Sequence, residues 1–407
     1  MTPQNTFAHE MSQPGSLALS GEAARALPDD GYAGTLVGRV WNPDSGGPSP
    51  VVVRAEGVFD ISMEFPTMRD LCEVPDPSVA ARNAVGTFLG QFGELLENTV
   101  PESRDETQPW LLAPVDLQSL KAAGVTFAVS MIERVIEERV RGDLEAAALM
   151  RDQILAEIGT DFADLRPGSA EAERLKDFLV SRGLWSQYLE VGIGPDAEIF
   201  TKAPTLSSVG TAVPVGVLAT STWNNPEPEV ALILQSSGAI VGATLANDVN
   251  LRDVEGRSAL LLPKAKDNNA SCALGPLLRL FDSTFDLDTV RSLGVRLEIT
   301  GEDGFHLDAV SEMSQISRDP TELVEQLIGP HHQYPDGAVL MLGTMFAPVV
   351  DRESPGMGFT HHDGDIVRIS AGSLGSLVNQ VKQSERCAPW EFGIGALMTN
   401  LASRNLL

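Results

Sequence analysis

The chain has 407 residues, of which 43% are hydrophobic and 21% are charged, a composition typical of a globular protein with a large core. Its formal net charge is −27 at pH 7, whereas partners such as nucleic-acid phosphates and anionic membrane surfaces require a basic protein surface. We therefore expect neither nucleic acid nor membrane as a partner.

Cysteine usage bears on the compartment. Cys72, Cys272 and Cys387 are odd in number and too widely spaced for a disulfide framework or a zinc motif. The chain also shows no apolar run of membrane-spanning length, and its N-terminus lacks the pattern of a signal peptide. These features predict a cytoplasmic protein.

Composition along the chain predicts three parts. Residues 1–30 are rich in proline, glycine, serine and alanine with little periodicity, and they predict a flexible N-terminal tail. Residues 31–109 predict a small N-terminal α+β domain, and residues 110–407 a larger domain that contains the chemistry.

Within residues 31–109 the hydrophobic pattern changes from strand to helix. The apolar runs 35–41 and 51–54 flank a turn sequence and predict a hairpin, which 57–61 extends. Residues 67–72 and 76–96 have apolar spacings of three and four, and predict helices.

The next region combines a buried strand with polar side chains. Residues 124–130 predict a short strand that continues into a helix over residues 131–141. Ser130, Glu133 and Arg134 lie at this junction. On the helix pattern alone, Glu133 and Arg134 can equally belong to a solvated helix face.

Three acidic residues stand at the ends of two apolar runs. Glu227 and Glu229 lie two apart at the start of one run, and Asp248 closes the next. Residues two apart in a strand point to the same side, so both glutamates project together. The turn sequence Q-S-S-G at 235–238 predicts a hairpin-like return that brings Asp248 beside them.

Convergence of these carboxylates predicts a metal site. Three neighbouring negative charges repel one another unless a cation neutralises them, and oxygen-only ligands favour Mg²⁺ or Mn²⁺ over zinc. The alternative is that they are exposed carboxylates at strand ends, the common state of such residues.

The order and spacing of these motifs resemble the fumarylacetoacetate hydrolase family. That family has an E-x-E pair on a strand, then N-D-x-S-x-R-D, then a lysine nine residues before Gly-Pro. The resemblance implies that the two glutamates and the first aspartate bind Mg²⁺ or Mn²⁺. The matching residues are Glu227 and Glu229, the segment 247–253 with Asp248 as the third ligand, and Lys266 before Gly275 and Pro276.

Two further positions match family motifs. Lys202 lies in an F-x-K segment whose lysine, in the family, points toward the substrate cleft. Thr344 follows the glycine of a G-T pair, where the family threonine hydrogen-bonds a substrate carboxylate. The closing segments 363–369 and 375–379 also match, so the resemblance spans roughly residues 110–380.

The resemblance implies a fold class and an assembly. We expect an α+β protein with a fumarylacetoacetate hydrolase-like catalytic domain, a mixed β-sandwich or β-roll, beside the smaller N-terminal α+β domain. A homodimer or a dimer of dimers is expected for the same reason.

The chain departs from the family pattern at three places. The strand-to-helix junction near Ser130 lacks the histidine that family hydrolases use as a base. Asn250 replaces a serine found in many relatives. The proline that usually follows the G-T pair is absent after Thr344, which suggests a differently shaped rim.

Segments outside the common motifs resemble one branch of the family, the 2-keto-3-deoxy-sugar-acid dehydratases of non-phosphorylative pentose oxidation. They are the N-terminal domain, the stretch G-V-T-F-A-V-S-M-I-E-R-V-I-E-E and the closing P-W-E-F-G-I-G-A-L-M. The resemblance implies conversion of a 2-keto-3-deoxypentonate, a small 2-keto acid, to 2,5-dioxopentanoate (α-ketoglutarate semialdehyde).

Roles for the site residues follow from this resemblance. Lys266 is expected to orient the enolate or carry a proton, with a pKa lowered by the nearby cation. Glu133 is the candidate general acid, and Arg252 is expected to brace the metal loop. The residues expected to bind substrate are Ser130, Arg134, Lys202 and Thr344.

Other functions stay open. The same site could cleave the C–C bond of an acylpyruvate or diketo acid, or decarboxylate oxaloacetate. A catalytically silent sugar-acid-binding protein is the alternative from another class, although the retained ligands and Lys266 argue against it. The pairs His331-His332 and His361-His362 lie in polar, Gly/Pro-rich segments and predict loop histidines rather than metal ligands.

Overall fold

The structure, a computed structural model, describes residues 17, 19, 21–127, 153, 165–344, 350–352 and 358–407. The described strands are β1 (Thr35–Asn42), β2 (Gly47–Arg54), β3 (Gly57–Asp60), β4 (Thr87–Gly90), β5 (Trp110–Leu112), β6 (Ser119–Gly124), β7 (Glu198–Ala203), β8 (Val215–Val217), β9 (Asn224–Asn225), β10 (Pro228–Leu234), β11 (Ile240–Asp248), β12 (Asn250–Leu251), β13 (Cys272–Leu280), β14 (Gly294–Thr300), β15 (His306–Glu312), β16 (Ala338–Met341), β17 (Ile366–Ala371) and β18 (Gly375–Gln383). The described α-helices are α1 (Ala23–Ala26), α2 (Met68–Cys72), α3 (Pro77–Asn83), α4 (Phe92–Glu97), α5 (Ala170–Ser181), α6 (Gln187–Ile193), α7 (Arg252–Glu255), α8 (Leu262–Lys266), α9 (Leu287–Arg291), α10 (Pro320–Leu327) and α11 (Ile394–Ser403). Short 3₁₀ turns occupy Pro43–Ser45, Pro101–Ser103, Ala259–Leu261, Met313–Gln315 and Ser384–Arg386.

Two large mixed sheets form the scaffold of the described chain. The larger one has 11 strands, in the order β4-β3-β2-β1-β13-β11-β10-β16-β6-β7 with β5 paired to β1. The smaller one has the order β15-β14-β17-β18-β8, and β9 pairs with β12 in a short ribbon. Most neighbours are antiparallel, while β16 with β6 and β18 with β8 are parallel. The predicted mixture of helices and mixed sheets is confirmed.

Strand β10 lies in the centre of the core because both of its faces are covered. Its seven residues are all buried. Val230, Leu232 and Leu234 pack in one cluster with residues of the smaller sheet such as Leu297 and Ile369. The intervening Ala231 and Ile233 pack in a second cluster with residues of α2 and the N-terminal strands. A carboxylate at the end of this strand is therefore buried.

The N-terminal strands belong to the larger sheet. β1 pairs with β2 on one side and with β13 on the other, where Val37 lies opposite Leu278. The sheet thus runs through the predicted boundary at residue 109, and whether residues 31–109 fold independently stays a prediction.

Part of the predicted tail is folded. Residues 23–26 form α1, Leu27 is buried, and Asp30 pairs with the buried guanidinium of Arg279 at 2.6 Å. This ion pair and the apolar contacts tie residues 21–30 to the sheet, although their composition resembles that of a tail.

Local predictions in the first third are partly confirmed. The helix at 67–72 is present, and Thr67 accepts the Asp70 N–H at its start. The helix predicted over 76–96 is wrong in its middle, because Thr87–Gly90 forms β4 and pairs with β3. Gly90 has φ +149°, a backbone conformation that interrupts a helix.

The strand predicted at 124–130 lies earlier in the chain. β6 ends at Gly124, and Val125 has φ +51°, a left-handed conformation that is rare for a β-branched residue and ends the strand. The helix predicted at 131–141 lies outside the described residues. In the described parts of the chain, no helix is long and apolar enough to cross a membrane.

Candidate active site

The pairing of β10 with β11 brings the three acidic residues together. Glu229 lies opposite Ala246, and the Asp248 N–H donates to the Glu227 carbonyl at 3.0 Å. The predicted hairpin-like return is confirmed. One carboxylate oxygen of each acidic residue lies within 4.8 Å of those of the other two.

Burial decides between the two interpretations of this triad. Glu227 is 9% exposed, and Glu229 and Asp248 are 1% exposed each. The alternative of exposed carboxylates at strand ends is therefore wrong. Among the residues that the structure describes, the triad is the group of acidic, cysteine or histidine side chains whose ligand atoms lie close enough together to hold a metal ion.

The triad strongly perturbs its own titration. Burial, followed by the charges of Asp248 and Glu227, holds the pKa of Glu229 well above its usual range. Burial also raises the pKa of Glu227, although the Lys266 ammonium opposes it. Burial opposes ionisation of Asp248 as well, yet Lys202 and Lys266 hold its pKa below the ordinary value.

Lys266 joins two members of the triad. Its buried Nζ donates to Asp248 Oδ2 at 2.9 Å and also to Glu227 Oε2. Burial disfavours the ammonium, but the carboxylates of Asp248 and Glu227 outweigh burial and raise its pKa. Its protein neighbours thus raise the pKa of Lys266, whereas the sequence predicted that a nearby cation would lower it.

Lys202 occupies a different place from the one predicted. Its side chain is fully buried, and Nζ lies 2.8 Å from Asp248 Oδ1 and 3.0 Å from the Val249 carbonyl. It also donates to the Lys266 carbonyl. Lys202 therefore contacts Asp248 and the backbone that follows it, and it is not among the described residues that line the cavity.

Asn250 connects the triad to a fourth carboxylate. Its Nδ2 donates to Glu227 Oε1 at 2.9 Å and to Glu255 Oε2 at the end of α7. The residue is 3% exposed. The position where many relatives have serine thus contacts two acidic groups.

The backbone before Thr344 holds the carboxylate of Glu229. The Gly343 N–H donates to Glu229 Oε2 at 2.7 Å. Gly343 has φ +93°, and a Cβ built on it would lie 2.2 Å from Thr126 Oγ1. Only glycine fits this position, and it places Thr344 at the cavity that the triad faces.

A cavity of about 200 Å³ opens from the triad. It is large enough for a small organic acid. Described residues that line it include the three triad carboxylates, Lys266, Thr344, Arg252, Trp223, Phe200, Tyr188, Glu198 and Glu255. The cavity combines an apolar wall with several ionisable groups, as small-molecule sites do.

Arg252 lies at this cavity rather than only behind the metal loop. Its guanidinium stacks on the Trp223 ring with the central carbon 4.2 Å from the ring centroid, and both side chains line the cavity. A cation held on an aromatic face at the cavity wall can meet a carboxylate or hydroxyl group of a bound small molecule.

Glu198 is a site residue that the sequence reasoning missed. It lines the cavity, and burial followed by the charge of Glu255 raises its pKa to about 7. A sequence signal existed, because Glu198, Phe200 and Lys202 alternate along β7 and share one side of the strand. The F-x-K match at residues 200–202 could have pointed to Glu198, which lies two positions before Phe200.

His361 lies in a loop, as predicted, but it is buried. Its side chain is buried, and Nδ1 lies 3.1 Å from Asp365 Oδ2, which Arg352 also contacts at 2.6 Å. Burial lowers the pKa of His361. Its backbone N–H donates to Asn224 Oδ1 at 3.1 Å, three residues before the first triad glutamate.

Of the four remaining predicted site residues, the structure describes one. Ser130, Glu133 and Arg134 lie outside the described residues, and their roles stay predictions. Thr344 lines the cavity, and its contact with a substrate carboxylate stays a prediction.

The triad fits a hard divalent cation. All three donors are carboxylate oxygens, the ligand type that Mg²⁺ and Mn²⁺ prefer. Two ammonium groups, of Lys202 and Lys266, offset two of the three negative charges, which leaves a formal −1 for the buried group. A divalent ion followed by one substrate carboxylate would bring this sum to zero.

Comparisons with known proteins bear on the same region. Residues 223–382 match the family model described as "Fumarylacetoacetate (FAA) hydrolase C-terminal". This span contains the triad, Lys266, Asn250 and Thr344.

Two curated relatives align with about half of the chain. The chain is 33% identical over 189 residues to a "2-dehydro-3-deoxy-D-arabinonate dehydratase" of Saccharolobus solfataricus, and the aligned region covers 46% of this chain and 60% of the relative. It is 32% identical over 194 residues to a "Probable 2-keto-3-deoxyxylonate dehydratase" of Haloferax volcanii, covering 48% and 63%. The alignments thus span less than two thirds of either relative's length.

A solved structure shares the fold. It is described as "2-keto-3-deoxy-D-arabinonate dehydratase complexed with magnesium and 2,5-dioxopentanoate", with a TM-score of 0.59 and 21% identity. The match covers 86% of this chain and 99% of that chain. This similarity confirms the expected fold class.

Proposed function

We propose that this chain, which carries a fumarylacetoacetate hydrolase-family domain over residues 223–382, is a divalent-metal-dependent dehydratase of a 2-keto-3-deoxypentonate. The observation that carries the proposal is the buried Glu227–Glu229–Asp248 triad, with Lys266 beside it, at the end of a small cavity. The names of both curated relatives and of the similar structure support the same reaction.

The reaction needs three events at neighbouring carbons. A base takes a proton from C3, the C4 hydroxyl accepts a proton and departs as water, and tautomerisation then places the aldehyde at C5, which gives 2,5-dioxopentanoate. Glu227, Glu229 and Asp248 would hold Mg²⁺ or Mn²⁺. When bound, the ion supplies a Lewis acid that stabilises negative charge developing on the 2-keto oxygen.

Lys266 suits the role of an orienting cation. The carboxylates of Glu227 and Asp248 keep its side chain as an ammonium, so it is a hydrogen-bond donor and a weak base. It can hold the carboxylate or enolate oxygen of the substrate while the C3 proton is lost. Thr344 and Arg252, which line the same cavity, offer further donors for the substrate's oxygens.

Glu198 suits the role of proton donor to the departing hydroxyl. Its pKa of about 7 leaves a substantial fraction protonated near neutral pH, as a general acid requires. Glu133, the candidate named from sequence, remains a second candidate for this step. Separate E198Q and E133Q variants would distinguish them, because loss of the true acid should lower kcat more than KM.

The ligand and assembly follow the same proposal. We propose a small 2-keto acid as the substrate, and a homodimer or dimer of dimers as the assembly.

The test is a coupled assay on the full chain. The protein is stripped with EDTA, given Mg²⁺ or Mn²⁺, and incubated with 2-keto-3-deoxypentonate, while the aldehyde product is followed with a semialdehyde dehydrogenase. We expect product only with metal and wild-type protein. E229Q should be inactive, and E325Q, a change at an exposed glutamate of α10, should be as active as wild type.

Two results would overturn the proposal. Turnover that is unaffected by EDTA and by E229Q would remove the metal site from the reaction. Release of pyruvate or a second acid from an acylpyruvate, without dehydration of the pentonate, would place the protein among the hydrolases.

A further inference from the structure

We propose that Glu255 is a positioning residue of this site: Asn250 holds its carboxylate at the cavity wall, where it acts on Glu198, the proposed proton donor. The inference rests on the proposed dehydratase function. It assigns a purpose to a carboxylate that is neither a metal ligand nor a match to a known motif here.

The contacts of Asn250 explain how Glu255 is held. An amide nitrogen carries two hydrogens, and Asn250 Nδ2 directs them to Glu227 Oε1 at 2.9 Å and to Glu255 Oε2. A serine at this position has one hydroxyl hydrogen and could serve only one carboxylate. Asparagine at position 250 therefore ties the fourth carboxylate to the metal-binding group.

Glu255 lies at the wall of the cavity that the triad faces. It is the last residue of α7, and it lines the cavity together with Glu198. Both glutamates also line an adjoining groove of about 590 Å³. The two carboxylates therefore share the boundary between the cavity and this groove.

The charges around Glu198 show what Glu255 contributes. Burial is the largest cause of the raised pKa of Glu198, and the charge of Glu255 on α7 is the next. Lys266 on α8 opposes the shift, while Glu227 and Asp248 from the triad add to it. Tyr188 of α6 lines the same cavity. A cation bound at the triad would lower the pKa of Glu198, and the negative charge of Glu255 acts in the opposite direction.

The first test compares pH profiles of kcat/KM for Mg²⁺-loaded wild type, E255Q, E255D and N250S. Removing the charge in E255Q should move the basic limb, where Glu198 loses its proton, to lower pH by about 0.5 units or more. E255D keeps the charge and should restore most of the wild-type position. N250S keeps the charge but frees it, and should give a smaller shift. E325Q serves as the matched Glu→Gln control.

A second readout does not depend on turnover. In protein labelled with ¹³C at the glutamate carboxyls and loaded with Mg²⁺, the Glu198 signal, assigned with E198Q, should titrate at lower pH in E255Q than in wild type. Mn²⁺ affinity should fall far less in E255Q than in E229Q, because Glu255 is not one of the proposed ligands.

The outcomes separate this inference from the proposed function. An unchanged Glu198 titration in E255Q overturns the inference, even if kcat falls, since Glu255 would then only stabilise α7. A shifted titration in a protein that dehydrates no 2-keto acid would uphold the electrostatic link and reject the dehydratase proposal.

Discussion

Replacing Lys202 with methionine tests whether a buried ammonium behind the triad stabilises the fold. The variant K202M keeps most of the side-chain volume but removes the charge that lies 2.8 Å from Asp248 Oδ1. It also leaves the Val249 carbonyl, 3.0 Å from the lost Nζ, without this donor. Breaking a buried ion pair costs about 3–5 kcal/mol.

The structure narrows the range expected for this loss of stability. Asp248 keeps its contact with Lys266 at 2.9 Å, so its charge is not left wholly unpaired. We therefore expect the lower end, about 3 kcal/mol, or roughly 100-fold in the folding equilibrium. The loss should be smaller in Mg²⁺ than in EDTA, because a bound cation would stabilise the ionised Asp248 in place of Lys202.

Urea unfolding followed by circular dichroism measures this effect, in EDTA and in Mg²⁺. K264M is the matched control, because Lys264 lies on the same short helix as Lys266 but is exposed; its effect should stay within about 0.5 kcal/mol. A loss below about 1 kcal/mol for K202M, with an unchanged dependence on urea, would show that Lys202 does not pair with Asp248 in the folded protein.

Three further predictions concern metal binding, pH and thiols. E229Q should weaken Mn²⁺ binding by more than about 100-fold, as measured by titration calorimetry, and unchanged affinity would remove Glu229 from the ligand set. The pKa of Glu198 rises on folding from 4.5 to about 7, so folding favours its protonated form. The free energy of unfolding should therefore fall by about 2–3 kcal/mol as pH rises from 5 to 8. Equal urea midpoints of wild type and E198Q at pH 5 and at pH 8, in EDTA, would contradict this. Cys72, Cys272 and Cys387 are free and buried, and burial raises the thiol pKa of each. Ellman's reagent should therefore react slowly with the native protein, and it should label all three thiols after denaturation. Rapid labelling of the native protein would be inconsistent with the described burial.

The convergence of the three carboxylates was predictable because its signals are local. Strand alternation places Glu227 and Glu229 on one side, and a turn sequence returns the chain to Asp248. Three carboxylates specify a hard cation by chemistry alone. Burial of the triad was not predictable in this way, since it depends on the two clusters that cover both faces of β10.

Local patterns failed where neighbours in space overrode them. Residues 87–90 have helical spacing in sequence, yet they pair with β3 at the edge of the larger sheet. The segment at 21–30 has the composition of a tail, yet Asp30 pairs with the distant Arg279. Neither partner is visible from the segment itself.

The sequence by itself determined the triad, Lys266 and the family of motifs in which they stand, because residue type and short-range spacing carry ligand chemistry. Only the tertiary structure decided that Lys202 faces inward onto Asp248, and that Glu198 and Glu255 share one cavity. The physical reason is that charges interact through space: their pKa values and their partners depend on burial and on which elements the sheets bring together, and both are properties of the packed fold.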